Sequence, residues 1–263
     1  FIALGGGLGG SQNWRSAFLP GAFQGTLVRN VSTDVEKIIE NIKNNYIPAG
    51  QQRAQLDLFN KLNELHNENL LRESELEARI QSFELAFQMQ TEATEAFDLS
   101  AEPEHMRNLY GDSAQGRQLL VARRLAERGV RFIQTWHNGW DHHTDVKGRL
   151  QAKALECDQP IAALLKDLKQ RGMLDDTLII WTGEFGRTPR HDRNGRGEPG
   201  RDHHNRGFSA WLAGAGVRGG QRFGATDEFG YEAVENKVHV HDLHATILHL
   251  LGFNHEKLTY RYN

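Results

Sequence analysis

The sequence predicts an α/β protein, with a mostly parallel central sheet flanked by helices and a helical insertion. From residue 114 onward, helical and strand-like runs alternate, as they do where helices cover a parallel sheet. Glycines at 129, 172 and 252 stop the helical runs. A chain of 263 residues with 38% hydrophobic content is also long enough to bury one large core.

The elements follow in order. "FIAL" reads as a short apolar strand entered without a lead-in or an initiator methionine, so part of the domain is expected to precede residue 1. Residues up to 33 are rich in glycine and aromatics without sustained period, which predicts loop with short strands. Gly5, Gly7 and Gly10 formally match G-x-G-x-x-G, with Asp34 at a suitable distance. That fingerprint must open a helix, and "SQNWRSAFLPGAF" has no helical period, so a dinucleotide fold is set aside.

A helical region follows. "DVEKIIENIKN" places Val35, Ile38, Ile39 and Ile42 on one face behind an Asp34 cap. "QLDLFNKLNEL" repeats the pattern with Leu58, Phe59, Leu62 and Leu65, and "SELEARIQSFELAFQM" with Leu76, Ile80, Phe83 and Phe87. Residues 34–110 are therefore expected to form an insertion or cap on a single α/β domain spanning 1–263. Beyond it, "QGRQLLVARRLAERG" is a helix, "VRFIQTW" a strand, "QAKALECDQPIAALLKDLKQRG" a long helix and "TLIIWTG" a second strand. After a Gly/Arg/His-rich loop, "GFSAWLAGAG" is a third strand, and "HDLHATILHLLG" a last helix capped by Asp242.

Charge and composition narrow the function classes. With 31 basic against 34 acidic residues the net charge is -3, so there is no polybasic footprint for nucleic acid or an anionic membrane. No run reaches the roughly 18 apolar residues that span a bilayer. A single cysteine, Cys157, excludes an internal disulfide and a thiolate-rich zinc site, and its helical setting makes it a packed bystander.

The chemistry concentrates in histidine. Eleven of thirteen histidines follow residue 130, and three lie with two aspartates in "HNGWDHHTD", residues 137–145. In sheets of this kind, ligands bind outside the carboxyl ends of the strands. "VRFIQTW" leads into this stretch and "TLIIWTG" into "EFGRTP", while "GRGEPGRDHHNRG" precedes the third strand, so at least two of the three clusters should share an edge.

Asp141 and His143 are two residues apart and point the same way from an extended segment. Glu184 stands at the tip of an apolar strand, and His203 can close the set. Mixed carboxylate and imidazole ligands suit zinc, manganese or iron, whereas calcium and magnesium favour all-oxygen shells. Asp141, His143, Glu184 and His203 are thus candidate ligands of a divalent metal, zinc or manganese first and calcium or magnesium as alternatives. Arg187 and Arg201 flank them as candidate binders of a tetrahedral anion.

Structural readings stand beside these. Asp141 and Asp145 suit helix N-caps, and Glu184 suits an ion pair with Arg187. His142 and His204 read as exposed or supporting neighbours. His241 and His244 read as helix surface.

"DDTLIIWTGEFGRTP", "GRDHHNRGFSAWLAGAGVRGG", "GATDEFGY" and "VHVHDLHATILHLLGFNHEKLTYRYN" resemble the bacterial family known as domain of unknown function 1501. The likeness extends back through "GWDHH" and "GGSQNWRSAFLPGAFQGT" to nearly the whole chain. That family resembles a branch of the alkaline phosphatase and sulfatase superfamily, which implies metal-dependent hydrolysis of sulfate or phosphate esters, a small-molecule or carbohydrate ester substrate, and a periplasmic or secreted setting. The resemblance places the superfamily's Asp and His pair on Asp141 and His143, its strand-end aspartate on Glu184, its late histidine on His203, and its helix start on residues 242–246.

Phe185 departs from the pattern, standing where the superfamily has histidine or asparagine. The superfamily's nucleophile and first metal-binding strand would precede residue 1. The competing expectation is a non-catalytic binding or scaffold protein that keeps the fold and a structural metal.

Overall fold

The computed structural model of the chain describes residues 1–7, 10–17, 19, 23–28, 46–69, 94–192 and 197–260. The helical faces expected at 35–42 and 76–87, and the Asp34 cap, lie outside the described residues. The chain divides into two compact units, residues 1–138 with 159–164, and 139–158 with 165–263.

The first unit is built on a three-stranded parallel sheet. Strands β1 (Ile2–Leu4), β2 (Thr26–Val28) and β3 (Ile133–Thr135) lie in the order β2-β1-β3. Ile2 pairs with both Thr26 and Ile133. As the central strand, β1 is buried along its whole length, which explains why "IAL" is continuously apolar and does not alternate.

Helix α1 (Ala49–Asn69) carries the stripe of Leu58, Phe59, Leu62 and Leu65 read from the sequence, but all four are more than half exposed. The core instead gathers around later helices, α2 (Glu104–Tyr110) and α3 (Ala114–Glu127). Ser113 caps α3, its hydroxyl accepting from the Gly116 N–H at 2.9 Å, and Gly129 leaves the helix at a φ of 79° that favours glycine. Leu119, Leu120, Val121 and Leu125 pack with Phe97, Met106, Tyr110, Val28 and β1.

A buried ionic clamp fastens this core. Glu102 accepts from Arg123 Nη2 at 2.6 Å and from Arg124 Nη1, while Arg124 Nε donates to the Ala96 carbonyl at 2.9 Å. Burial works to raise the Glu102 carboxyl, and the two guanidiniums outweigh it, holding it below the usual range.

In the second unit, the α/β pattern is continued by antiparallel pairs. Strand β4 (Ile179–Trp181) pairs antiparallel with β7 (Trp211–Ala213), where sequence alternation predicts parallel neighbours. The reason lies in the connection: parallel pairing needs a crossover, usually a helix, and the chain between β4 and β7 instead forms a hairpin. Its arms, β5 (Gly186–His191) and β6 (Arg201–His204), occupy the stretch read as loop. Apart from Gly186 and Pro189 these arms are polar, so they lack the apolar alternation that marks a strand in sequence.

Helix α4 (Val146–Gln170) begins at Asp145, whose carboxylate accepts from the Gly148 N–H. Strands β8 (Ala225–Thr226) and β9 (Ala233–Glu235) form a third antiparallel pair, and helix α5 (Val240–Leu250) follows. The N-cap of α5 is His239, correcting the expectation for Asp242. Asp242 sits three residues into the helix and accepts from the His239 N–H at 2.8 Å, the reciprocal half of a capping box.

Candidate metal centre

The geometry grows from two segments laid side by side. Thr144 bridges to Pro199, the Asp145 N–H donates to the Glu198 carbonyl at 2.9 Å, and the Arg201 N–H donates to the His142 carbonyl at 2.8 Å. Gly200 permits this approach, since a Cβ there would stand 2.0 Å from the His143 carbonyl. Across the hairpin, Arg187 pairs directly with His203. The backbone therefore delivers Asp141, His143, Arg187 and His203 to one place.

Three potential donor atoms form a nearly equilateral triangle. Asp141 Oδ1 is 3.0 Å from His143 Nε2 and 3.0 Å from His203 Nε2, and the two Nε2 atoms are 3.2 Å apart. Donors of a tetrahedral zinc with bonds of about 2.0–2.1 Å stand roughly 3.3 Å apart, so this set fits such an ion. Two imidazoles and one carboxylate also suit zinc or manganese better than the all-oxygen shells of calcium or magnesium. The side chains of Asp141, His143 and His203 are 46%, 38% and 47% exposed, which leaves the triangle open to solvent.

The other expected residues occupy different positions. Glu184 is outside the triangle, with a 66% exposed side chain whose Oε1 is 3.9 Å from Arg187 Nη2. Arg187 Nη1 donates to Asp141 Oδ1 at 2.5 Å, and its guanidinium carbon stands 5.9 Å from the Phe185 ring centre. Phe185 in turn lies against His203, with ring centres 4.7 Å apart. Arg201 is partly buried and donates from Nη1 to the Thr188 carbonyl at 3.2 Å, bracing the hairpin.

Of the two readings of His142, an exposed or a supporting neighbour, burial removes the first. The residue is 5% exposed, with a buried Nε2 that has no hydrogen-bond partner among the described residues. His204 Nε2 donates to the Tyr231 carbonyl, 2.7 Å away. Cys157 is buried, as expected of a packed thiol, and burial pushes its pKa up.

The charges around the triangle reinforce one another. Burial works to raise the Asp141 carboxyl, but hydrogen bonds from Arg187 and His203 outweigh it and hold the group below its usual range. For His143 the leading influence is the hydrogen bond to Asp192, which raises its pKa against partial burial. His142 moves the other way, lowered by burial and then by the charges of Arg149 and Arg187.

Two carboxylates here escaped the sequence reading. Asp192 Oδ2 is 2.7 Å from His143 Nδ1, and Asp202 Oδ1 is 3.9 Å from the same nitrogen. With His143 they form a second group of potential ligands that shares the imidazole with the first. Asp192 follows "RTPRH" and Asp202 precedes His203, so the signal lay in the DHH and HD pairs, which acquire meaning only once the hairpin is known.

No curated protein and no solved structure matches the chain. A family profile matches residues 2–263, virtually the full length, and the chain therefore belongs to the family described as Protein of unknown function (DUF1501).

Proposed function

We propose that the Asp141–His143–His203 triangle is a divalent metal centre and that the protein hydrolyses sulfate or phosphate esters. The observation that supports this most is the near-equilateral set of three donor atoms, open to solvent and bordered by a guanidinium. Three protein ligands with an open position are the pattern of catalytic zinc, whereas closed structural sites take four.

When bound, the ion supplies Lewis-acid polarisation of an ester oxygen. Asp141, His143 and His203 hold it. Arg187 keeps Asp141 ionised and turns its remaining N–H groups toward the oxygens of a tetrahedral anion. Phe185 orients the His203 ring and restricts water on that side. Arg201 serves the hairpin, and Glu184 is placed to join only after rearrangement of its loop.

On this reading the chain is a branch of the alkaline phosphatase and sulfatase superfamily, with a sulfatase-like arrangement of strands and a periplasmic or secreted setting. The substrate is a small-molecule or carbohydrate ester. A second reading, a protein that holds a metal without hydrolysis, is favoured by Phe185, which contributes no ligand atom where it covers His203.

Elemental analysis after dialysis against zinc or manganese tests the centre. The expected result is about one ion per chain in the parent, lost in Asp141→Ala and His203→Ala. Equal metal content in all three proteins, or none in any, overturns the proposal. Hydrolysis of p-nitrophenyl sulfate or phosphate by the loaded parent separates the two readings.

A further inference from the structure

We propose that Asp192 is a positioning residue that holds His143 in the Nδ1–H tautomer and so leaves Nε2, on the side of Asp141 and His203, unprotonated. Its consequence for metal binding rests on the centre proposed above, but the tautomer itself does not.

A neutral imidazole carries one N–H, and two carboxylates compete for it. Asp192 Oδ2 lies 2.7 Å from Nδ1, and Asp141 Oδ1 lies 3.0 Å from Nε2. The Asp192 side chain is 4% exposed, while that of Asp141 is 46% exposed and already accepts from Arg187. A hydrogen bond is stronger where water is excluded, so the shorter contact to the buried carboxylate outweighs the longer one to the exposed carboxylate. The proton therefore belongs on Nδ1.

Backbone geometry supports the assignment. The Asp192 N–H donates to the Gly200 carbonyl at 3.1 Å, and Gly200 abuts the His143 backbone. Asp192 and His143 are thus registered through the same close approach that brings His203 into place. Nε2 is then the ring's acceptor nitrogen, 3.2 Å from His203 Nε2 and without a proton, ready to ligate. Carboxylate, histidine and metal in that order is a recurring arrangement in which the outer carboxylate fixes ring orientation and raises ligand basicity.

Long-range ¹H–¹⁵N correlation spectra of the ¹⁵N-labelled, chelator-treated protein at alkaline pH read the tautomer directly, with His143 assigned by its loss in His143→Gln. The expected result is a protonated Nδ1 and an unprotonated Nε2. A protonated Nε2 in the parent overturns the proposal, and this arm needs neither metal nor an Asp192 variant.

In Asp192→Asn the tautomer should become mixed or inverted, and zinc affinity, measured by competition with a chelating dye, should fall about 10–100-fold. Asp192→Glu, which keeps the carboxylate, should recover part of that loss. Unchanged affinity in Asp192→Asn, or zinc ligated through Nδ1 in the loaded parent's ¹⁵N spectrum, also overturns it. Failure of the parent to bind zinc defeats the metal centre while the tautomer measurement still decides the role of Asp192.

Discussion

In the first unit Glu102 sits between Arg123 and Arg124, and all three side chains are at most 7% exposed. In the second, Asp141 sits among Arg187, His143 and His203, whose side chains are 26%, 38% and 47% exposed. Both clusters place one carboxylate among cationic or imidazole groups. The difference is in what surrounds them.

Around Glu102 an apolar core excludes water, so each charge depends on its partners and the cluster acts as a fastener. Around Asp141, water screens the charges, and two imidazole nitrogens face each other across 3.2 Å. Three potential donor atoms crowded together in a place that solvent can reach are what the proposed metal centre rests on.

Substitution can break this comparison, and the largest expected effect is at the clamp. Glu102→Ala removes the carboxylate that two buried guanidiniums share, leaving Arg123 with Glu127 and Arg124 with backbone carbonyls, and should cost about 3–5 kcal/mol, read as a lower urea midpoint. Leu125→Ala, in the same buried helix, should cost about 2–5 kcal/mol by the same measurement. Val240→Ala on the exposed face of α5 should change stability by no more than about 0.5 kcal/mol. A comparable loss at Val240 would show that the two units do not differ in packing.

The pH dependence sharpens the contrast. Glu102 has a folded-state pKa below its usual value of 4.5, so its contribution is present above that value and is lost as pH falls through the lowered one. Acid unfolding followed by circular dichroism should show a loss of stability that begins below about pH 4.5 and is reduced in Glu102→Gln.

Smaller effects are expected in the second unit. Asp145→Ala removes the α4 cap and should cost about 1 kcal/mol. Asp141→Ala and His203→Ala should each change stability by less than about 1 kcal/mol while abolishing metal retention. If instead Asp141→Ala destabilised the protein as Glu102→Ala does, the triangle would be a structural fastener too.

Much of this organisation is legible in the chain. The continuous apolar run at Ile2–Leu4, the period and glycine stop of α3, and the strand around Ile133 are local patterns, and local patterns survive into the fold because backbone propensity and burial agree there. Asp141, His143 and His203 were legible by residue type as well. An unusual density of metal-competent side chains needs no knowledge of where the chain turns.

Tertiary structure alone decided which of those side chains meet. The β5–β6 hairpin is polar on both arms, so no hydrophobic period announces it, yet its register sets Arg187 opposite His203 and carries Asp192 to within 2.7 Å of His143. Contacts between residues 49 and 62 positions apart depend on that register and on the absence of a side chain at Gly200. Sequence by itself determined which chemistry was available to this protein; the pairing of distant strands decided where it was assembled, because hydrogen-bond register is a property of two segments and is written in neither one alone.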